Sequence, residues 1–462
     1  MSAGGHGGGH GGGGLPGLAA IQHWMHGAHE GGGTAIEFRP VVFAFVAEIV
    51  AFFLVAPAQS LINFEFLLFT SPVWLPVLLF HFGFMRFVDA NKVAWLSGQK
   101  HVLLEIRLPR DTRRTPLAME TVLSSMHIAG GENTWYKRWI QGRARPWYSY
   151  EIVSLGGQVH LYAWMREGWR RAFESYIYAQ YPGVEVIEAM DYSRLTDPSH
   201  HPYTMTAFEF KKTKPDPYPV KTYEEYGLDK VQKPEEQVDP LAQVLEIMGS
   251  LNSQEQLWLQ LIVRVHQGKP FDSKPGNWKE AAKAAIAELR EEDAVVNEYV
   301  DADGNKRTTT SYPNPTRAMA SRIEAIERNT GKQAYDIGIR GIYLAPESAA
   351  QGTMGGVLVN IFKPFNSEQH NSLMPTDGRW SNHFNDYPWE DKHGHHTAHA
   401  NHMVTEFYRR RAFFHPPYIG DYSVMSVEEL ATIFHIPSSS VTTPSLPRIQ
   451  STTSEAPVNL PT

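Results

Sequence analysis

The residues whose types and spacing could most readily do chemistry are five histidines near the C-terminus. They lie in DKHGHHTAHANHM and are His393, His395, His396, His399 and His402. The spacing from His395 to His399 and on to His402 would bring imidazoles to one helical face, where they could bind a metal ion. The glutamate of an HExxH motif is missing, and Gly394 disfavours a helix. We therefore interpret the segment as a solvated loop and assign no metal ligand, while a metal-dependent enzyme built on this cluster remains an alternative.

A second candidate site is aromatic. Tyr148 and Tyr150 fall on one face of a predicted strand, and His160, Tyr162 and Trp164 alternate on its predicted hairpin partner. Exposed aromatic rings on a sheet stack single-stranded bases in some modules. The aromatic signature of such RNA-binding sheets is absent, so the sequence favours packing of this face against a neighbouring module. A membrane-tethered module that binds nucleic acid or a ligand remains the alternative.

The sequence lacks the common motifs of catalysis. It contains no GxxxxGK[ST] phosphate loop, no GxGxxG between a strand and a helix, and no GxSxG elbow. The absence of cysteine excludes thiol nucleophiles and thiolate metal sites, and 49 acidic against 42 basic residues argue against a protein that coats nucleic acid. We expect no enzyme, and we assign no catalytic residue and no cofactor.

Two apolar runs near the N-terminus predict a membrane anchor. Residues 40–58 are about long enough to cross a bilayer and carry Glu48 as their only charge, which is either a functional contact or a snorkelled side chain. Residues 64–88 form a second run that contains Pro72 and Pro76. The short connection at 58–63 predicts a tight turn, so we expect a transmembrane hairpin within residues 36–90. Residues 1–35, rich in glycine and including His6 and His10, are predicted to be disordered.

Charge predicts the orientation of this anchor. A cluster of basic residues follows the second run, whereas only Arg39 precedes the first. The cluster consists of Arg86, Lys92, Lys100, Arg107, Arg110, Arg113 and Arg114. By the positive-inside rule, the chain belongs in the cytoplasmic (inner) membrane with its bulk facing the cytoplasm.

The rest of the chain predicts an α+β fold. Residues 98–195 alternate strand and helix patterns in the order β-α-β-β-α-β, which is typical of a ferredoxin-like module. The first and third strands are then central, and Leu104 and Leu161 are buried. Residues 203–374 predict a second α+β module of ferredoxin-like type, interrupted by a charged helical insertion at about 278–300. Residues 375–436 are predicted to be rich in loops, and residues 437–462 to form a disordered Ser/Thr/Pro tail.

Several stretches resemble a known family. They are KHVLLEIRLPRDTRRTPLAMETVLSSMH, GGENTWYKRWIQGRARPWYSYEIVSLGGQVHLYAWMR, IYAQYPGVEVIEAMDY, DPLAQVLEIMGSLNSQEQLWLQLIVRV and SVMSVEELATIFHIPSSSVTTPSLPRI. Together they resemble the membrane-attached N-terminal region, a domain of unknown function, of bacterial type IV secretion and conjugative DNA-transfer ATPase-like proteins. The resemblance covers residues 64–449. In longer relatives a P-loop motor follows; this chain ends at Thr462, so we expect no motor domain in it.

The resemblance implies a function that the residues alone do not. We expect a non-enzymatic, membrane-anchored component of a type IV secretion-like or conjugative DNA-transfer apparatus, acting as an assembly or motor-docking scaffold. The expected partners are the lipid bilayer, a separately encoded P-loop ATPase and further copies of the chain. No sequence-specific contact with nucleic acid is expected.

Overall fold

A computed structural model describes residues 57–109, 114–132, 134–196, 203–229, 238–267, 278–292, 295–300, 306–311, 315–376, 395–438 and 448–449. Internal contacts divide the chain into one unit of Met1–Val88 with Gly268–Pro275 and another of Asp89–Gln267 with Gly276–Thr462. The glycine-rich tail, Glu48 and almost all of the first apolar run lie outside the described residues.

A long helix, α1, opens the described chain at Pro57–Ser97. The turn predicted at residues 58–63 is wrong, because these residues are helical. Proline suits the first turn of a helix, and alanine, glutamine and leucine within this stretch favour its continuation. Pro72 removes the backbone donor that would bond the Leu68 carbonyl, and the Ser71 hydroxyl donates to that carbonyl instead, at 2.7 Å.

One helix among the described residues, Leu68–Ser97, is long and apolar enough to cross a membrane. Its most apolar window is not buried within the protein, and Phe69, Val73 and Phe80 are each more than 70% exposed. The described residues therefore contain one candidate span, and the first arm of the predicted hairpin lies outside them.

The first half of the sheet follows α1 after three residues. Its elements are β1 (His101–Pro109), α2 (Pro116–Ser125), β2 (Trp147–Leu155), β3 (Gln158–Arg166), α3 (Arg170–Gln180) and β4 (Glu185–Glu188), with a π-helical turn at Tyr136–Ile140 and 3₁₀ turns at Glu167–Trp169 and Tyr192–Arg194. The strands lie in the order β4-β1-β3-β2 and all pair antiparallel. As predicted, β1 and β3 each have a strand on both sides, and Leu104 and Leu161 are buried.

The second half of the sheet contains β5 (Tyr203–Lys212), α4 (Pro240–Gly249), β6 (Gln256–Val265), α5 (Trp278–Glu292), β7 (Val295–Val300), β8 (Lys306–Ser311), α6 (Arg317–Gly331), β9 (Ala334–Pro346), α7 (Met354–Val359), a 3₁₀ turn at Lys363–Phe365 and β10 (Leu373–Pro375). Four of these strands lie side by side in the order β6-β9-β5-β10, whereas β7 and β8 pair with each other in a separate sheet. The predicted helical insertion is helical only through α5. Residues 295–300 form a hairpin with β8 instead, because four of the six are valine or tyrosine, which favour strands.

The two halves join through β2 and β6, which pair antiparallel from Trp147↔Arg264 to Leu155↔Gln256. Within the described residues, ten strands form this continuous sheet, including β13 (Ser423–Ser426) beside β9 and β14 (Arg448–Ile449) beside β1. All of these pairings are antiparallel except β1 with β14. The protein is thus a mixed α+β structure built on one large antiparallel sheet.

Helices cover one face of the sheet. The main core contains Phe173 of α3, Leu245 of α4 and Leu430 of α9 (Val427–Ile433), together with side chains of α2 and α7. Tyr148 and Tyr150 belong to this core and are fully buried.

The other face is covered by the C-terminal segment. A second core joins Tyr162 and Trp164 to Val404 and Tyr408 of α8 (His395–Arg409), and to the hairpin of β11 (Phe414–His415) and β12 (Tyr418–Ile419). The predicted single aromatic face is therefore wrong. Tyr162 pairs with Glu151, so it points to the side of the sheet opposite Tyr150.

The C-terminal part of the chain also differs from expectation. Residues 395–436, predicted to be loop-rich, contain α8, β11, β12, β13 and α9. The signal for α9 was available, because Ser426 and Glu429 form a capping box before a buried helix. Within the predicted disordered tail, Arg448 and Ile449 pair with Leu108 and Pro109; most of its other residues lie outside the described residues.

Candidate functional site

A cavity of about 1030 Å³ lies within the second unit, on the α8 side of the sheet. Its walls come from the last turns of α1, the first residues of β1 and β2, the segment after β4, and the chain that leaves α8. Drug-sized and cofactor-sized ligands occupy cavities of about 300–1,000 Å³. The cavity is therefore large enough for a small organic ligand.

Aromatic and imidazole rings form the inner wall. The His101 ring stacks on Trp164 with centroids 4.2 Å apart and planes at 5°. Trp147 lies 5.8 Å from His101 and 5.7 Å from His415, measured between ring centroids. These rings meet because β1 pairs with β3 in the register Leu103↔Trp164, while β11 crosses the start of β2.

Three ring nitrogens of this wall are buried and have no hydrogen-bond partner in the part of the chain that the structure describes. They are His101 Nε2, Trp147 Nε1 and His415 Nε2. Trp147 and His415 are each only 7% exposed. Buried polar atoms in proteins are nearly always hydrogen-bonded, to protein or to solvent. The three unsatisfied nitrogens belong to side chains that line one cavity, and the cavity therefore indicates a place for a polar ligand.

Both histidines favour the neutral form. Burial, assisted by Arg166, lowers the pKa of His101 from 6.5 to about 4. Burial also lowers the pKa of His415, with further contributions from Lys92 and Arg264. At neutral pH the two imidazoles are uncharged and each has one donor and one acceptor nitrogen.

Arginines line the other wall. Arg194, Arg409, Arg410 and Arg411 face the cavity together with Glu188, Asp191 and Glu406. Asp191 pairs with both Arg411 and Arg194, and Glu406 pairs with both Arg409 and Arg410. Glu188 bonds Arg170, which lies outside the wall. The wall therefore carries four arginines against three carboxylates, and one of the arginines, Arg411, is also paired with Glu151 outside the wall.

Arg411 links this wall to the sheet through buried ion pairs. Its side chain is 1% exposed and donates to Glu151 at 2.9 Å and to Asp191. Tyr192 donates to Glu151 at 2.7 Å and contacts the Tyr408 hydroxyl at 2.8 Å. Although burial opposes the charge, the two carboxylates raise the pKa of Arg411. These contacts hold the end of α8 over β2.

Glu151 belongs to a polar row that crosses the sheet beneath α8. Neighbouring strands contribute, in order, Glu105, Tyr162, Glu151, Gln260, Arg340 and Glu209. Gln260 donates to Glu151 at 3.0 Å, and Tyr418 donates to Glu209 at 2.7 Å. Buried polar side chains destabilise a protein unless they have hydrogen-bond partners. The partners that the C-terminal segment supplies to this row therefore fix how that segment docks on the sheet.

The structure does not gather the histidine cluster into a site. His395, His399 and His402 lie on α8 and are exposed, while His393 falls outside the described residues. No group of three His, Asp or Glu side chains within the described part of the chain is placed to hold a metal ion. The helix that was not expected here forms because Val404 and Tyr408, four residues apart, pack onto the sheet.

Of the rings in the cavity wall, Trp164 was part of the predicted aromatic face, whereas His101, Trp147 and His415 were not assigned to any site. His101 is a polar position of the first predicted strand, and Trp147 is the first residue of the second. The run RRRAFFHPP at 409–417, which supplies Arg411 and His415, was the available signal. Consecutive arginines followed by aromatic residues are unusual in a solvated loop, since the rings need burial.

A family model described as a domain of unknown function (DUF8128) matches residues 88–448. No curated protein matches the chain. The matched residues begin within the last turns of α1 and include β1 to β13, α8 and the whole cavity wall. Because the match spans most of the sequence, the chain belongs to the DUF8128 family.

Proposed function

We propose that the protein is a non-enzymatic, membrane-anchored component of a bacterial type IV secretion-like or conjugative DNA-transfer apparatus. The observation that supports it most is that an exposed apolar helix runs within three residues into β1 of a large α+β body. The sequence resemblance to the N-terminal regions of transfer ATPases supplies the choice of apparatus.

Residues 89–97, at the end of α1, belong to the second unit and contact its segment between α2 and β2. Asn91 Nδ2 donates to the Ile140 carbonyl at 2.9 Å. Gly142 adopts φ of 62°, and a Cβ at this position would overlap the Asn91 backbone. Movement of residues 89–97 would therefore disturb the segment between α2 and β2.

The body itself supports a scaffold of two ferredoxin-like modules. In each half of the sheet, the neighbouring strands are the fourth, first, third and second of that half in chain order. They are β4-β1-β3-β2 in the first half and β10-β5-β9-β6 in the second, where β7 and β8 are not counted. In our proposal the modules join at their second strands, and the hairpin of β7 and β8 with its flanking helices α5 and α6 is an insertion in the second. Such a body offers a surface for a separately encoded P-loop ATPase or for identical subunits.

Membrane attachment is tested with paired arginine substitutions. Val73→Arg with Phe80→Arg places two charges on the exposed face of α1, at a cost of about 2.5–3.5 kcal/mol each in a bilayer. Leu117→Arg with Val238→Arg is the matched control, since both residues are exposed on the body. We expect only the first pair to release the protein from membranes after alkaline extraction.

The role in transfer is tested in the native cell. We expect deletion of the gene to abolish DNA or protein transfer, and the control pair but not the α1 pair to restore it. Reporters fused at Lys230 should report the cytoplasm. Unchanged transfer in the deletion strain would refute the role, and an ATPase of the apparatus that fails to co-elute with the purified chain would refute motor docking.

A ligand-binding module is the second candidate, and the cavity favours it. The hypothesis that this module binds nucleic acid loses support, because Tyr148, Tyr150 and Tyr162 are buried. No observation on the described histidines favours a metal-dependent enzyme.

A further inference from the structure

We infer that the cavity beside the end of α1 binds a phosphate-bearing anion. The same chemistry occurs in an anionic lipid headgroup and in a soluble phosphate ester. This inference is independent of the transfer apparatus, because it concerns binding by the purified chain.

The inner wall supplies hydrogen bonds that lack partners. Trp147 Nε1 can only donate, and it is buried with no acceptor among the described residues. His415 Nε2 can donate as well, in the tautomer that carries the ring proton there. A phosphate has several strong acceptor oxygens and could accept from both nitrogens.

The charge around the wall selects an anion. Arg166 lies 5.3 Å above the Trp147 ring and bonds the backbone carbonyls of Ala144 and Arg145. Its Nε has no hydrogen-bond partner among the described residues, and burial lowers the pKa of its guanidinium to about 10. Carbonyl dipoles offset its charge only in part, so Arg166 leaves a positive potential near the Trp147 indole.

The mouth of the cavity adds to this potential. Arg194 and Arg410 have side chains that are 76% and 62% exposed, and each shares its carboxylate with a second arginine. An anion that enters meets these two cations before it reaches the buried nitrogens. Lysine and arginine at such positions steer anions toward a site.

The position of the cavity suggests how an anion with an apolar body would fit. Val93 and Leu96, from the last turns of α1, line it, and Val93 is 52% exposed. The cavity is much larger than a phosphate group needs. An ester with an aliphatic or acyl substituent could place its phosphate at Trp147 and its apolar part against Val93 and Leu96.

The test uses the full chain with ¹⁵N-labelled indole groups, in detergent for inorganic phosphate and in phosphatidylcholine nanodiscs with or without phosphatidate. The Trp147 resonance is assigned by its loss in Trp147→Phe, which keeps a ring and removes the donor. We expect inorganic phosphate, phosphatidate or both to shift this resonance. A shift with both, in competition, indicates a shared headgroup site; a shift with one identifies the source.

Affinity measured by calorimetry provides the second readout. Loss of one hydrogen bond to an anion should weaken binding about 10-fold in Trp147→Phe and in His415→Phe. Arg410→Gln at the mouth should weaken it about 3-fold. Arg290→Gln, an exposed arginine in the last turn of α5, is the matched control and should bind as the wild type does.

Three results would overturn the inference. The first is no shift of the Trp147 resonance with either phosphate probe. The second is an equal shift in nanodiscs of phosphatidylcholine alone. The third is unchanged affinity in both Trp147→Phe and His415→Phe, when circular dichroism shows both variants folded.

Discussion

Two adjacent arginines at the end of α8 differ completely in environment. Arg411 is buried between Glu151 and Asp191, with a positive φ of 48° that few residues other than glycine adopt. Arg410 is exposed and bonds Glu406 at 3.0 Å. An arginine therefore fixes the docking of α8 at position 411 and contributes little to it at position 410.

Arg411→Met should destabilise the protein by about 3–5 kcal/mol, because it leaves the buried Glu151 carboxylate without its cation. Arg410→Met is the matched control, and loss of its exposed ion pair should cost less than about 1 kcal/mol. Urea denaturation of the full chain in detergent, followed by tryptophan fluorescence, measures both. Equal losses would mean that Glu151 is satisfied without Arg411.

Protonation of His101 should oppose folding. Its pKa is about 4 in the folded protein against 6.5 for the exposed side chain, so the unfolded state binds the proton first as the pH falls. The neutral His101 side chain makes its full contribution to stability above pH 6.5, and this contribution is lost progressively as the pH falls to about 4. The loss is at most about 3 kcal/mol.

His101→Phe tests this by keeping a ring against Trp164 and removing the titrating group. Denaturation at neutral pH and near pH 4 should show that the wild type loses more stability than the variant over this interval. The remaining histidines and carboxylates act in both proteins, so the difference reports His101. Parallel losses would show that its pKa is ordinary in the folded protein.

At the scale of elements, β1 combines a buried face with a polar one. Leu104 is fully buried between the strand and the helices, while Arg107 has a side chain that is 45% exposed. This alternation was apparent in the sequence, and it correctly predicted a strand. The other face of β1, however, meets the polar row, where His160 Nδ1 lies 2.8 Å from Glu105.

Leu104→Ala should cost about 2–5 kcal/mol, because it removes a well-packed side chain and leaves a cavity. Arg107→Ala on the same strand is the control, and we expect a loss within about 0.5 kcal/mol. Thermal melts of the two variants and the wild type measure both losses of stability. A small loss at Leu104 would mean that the core around β1 rearranges to fill the space.

At the scale of the whole second unit, the two halves of the sheet depend on each other. The pairing of β2 with β6 removes an exposed edge from each half, and Glu151 of one half bonds Gln260 of the other. Segments distant in sequence then cover both faces. The C-terminal segment bonds strands of both halves, through Arg411 to Glu151 and through Tyr418 to Glu209.

The sequence by itself determined the local elements of this protein. Alternation in HVLLEIRLP and helical spacing after Thr115 identified β1 and α2, and the run within residues 64–88 identified an apolar helix. These predictions succeed because side-chain periodicity reflects burial of one face within a single element. The same reasoning failed at residues 58–63, where no residue pattern marks whether a helix continues.

Only the tertiary structure decided which faces are covered and where the cavity lies. Tyr150 and Tyr162 appeared to share a face until the register of β2 with β3 separated them. His101, Trp147 and His415 are far apart in sequence, and no spacing relates them. Their rings meet because strand pairing and the docking of Arg411 are set by contacts between distant segments, which a local pattern does not encode.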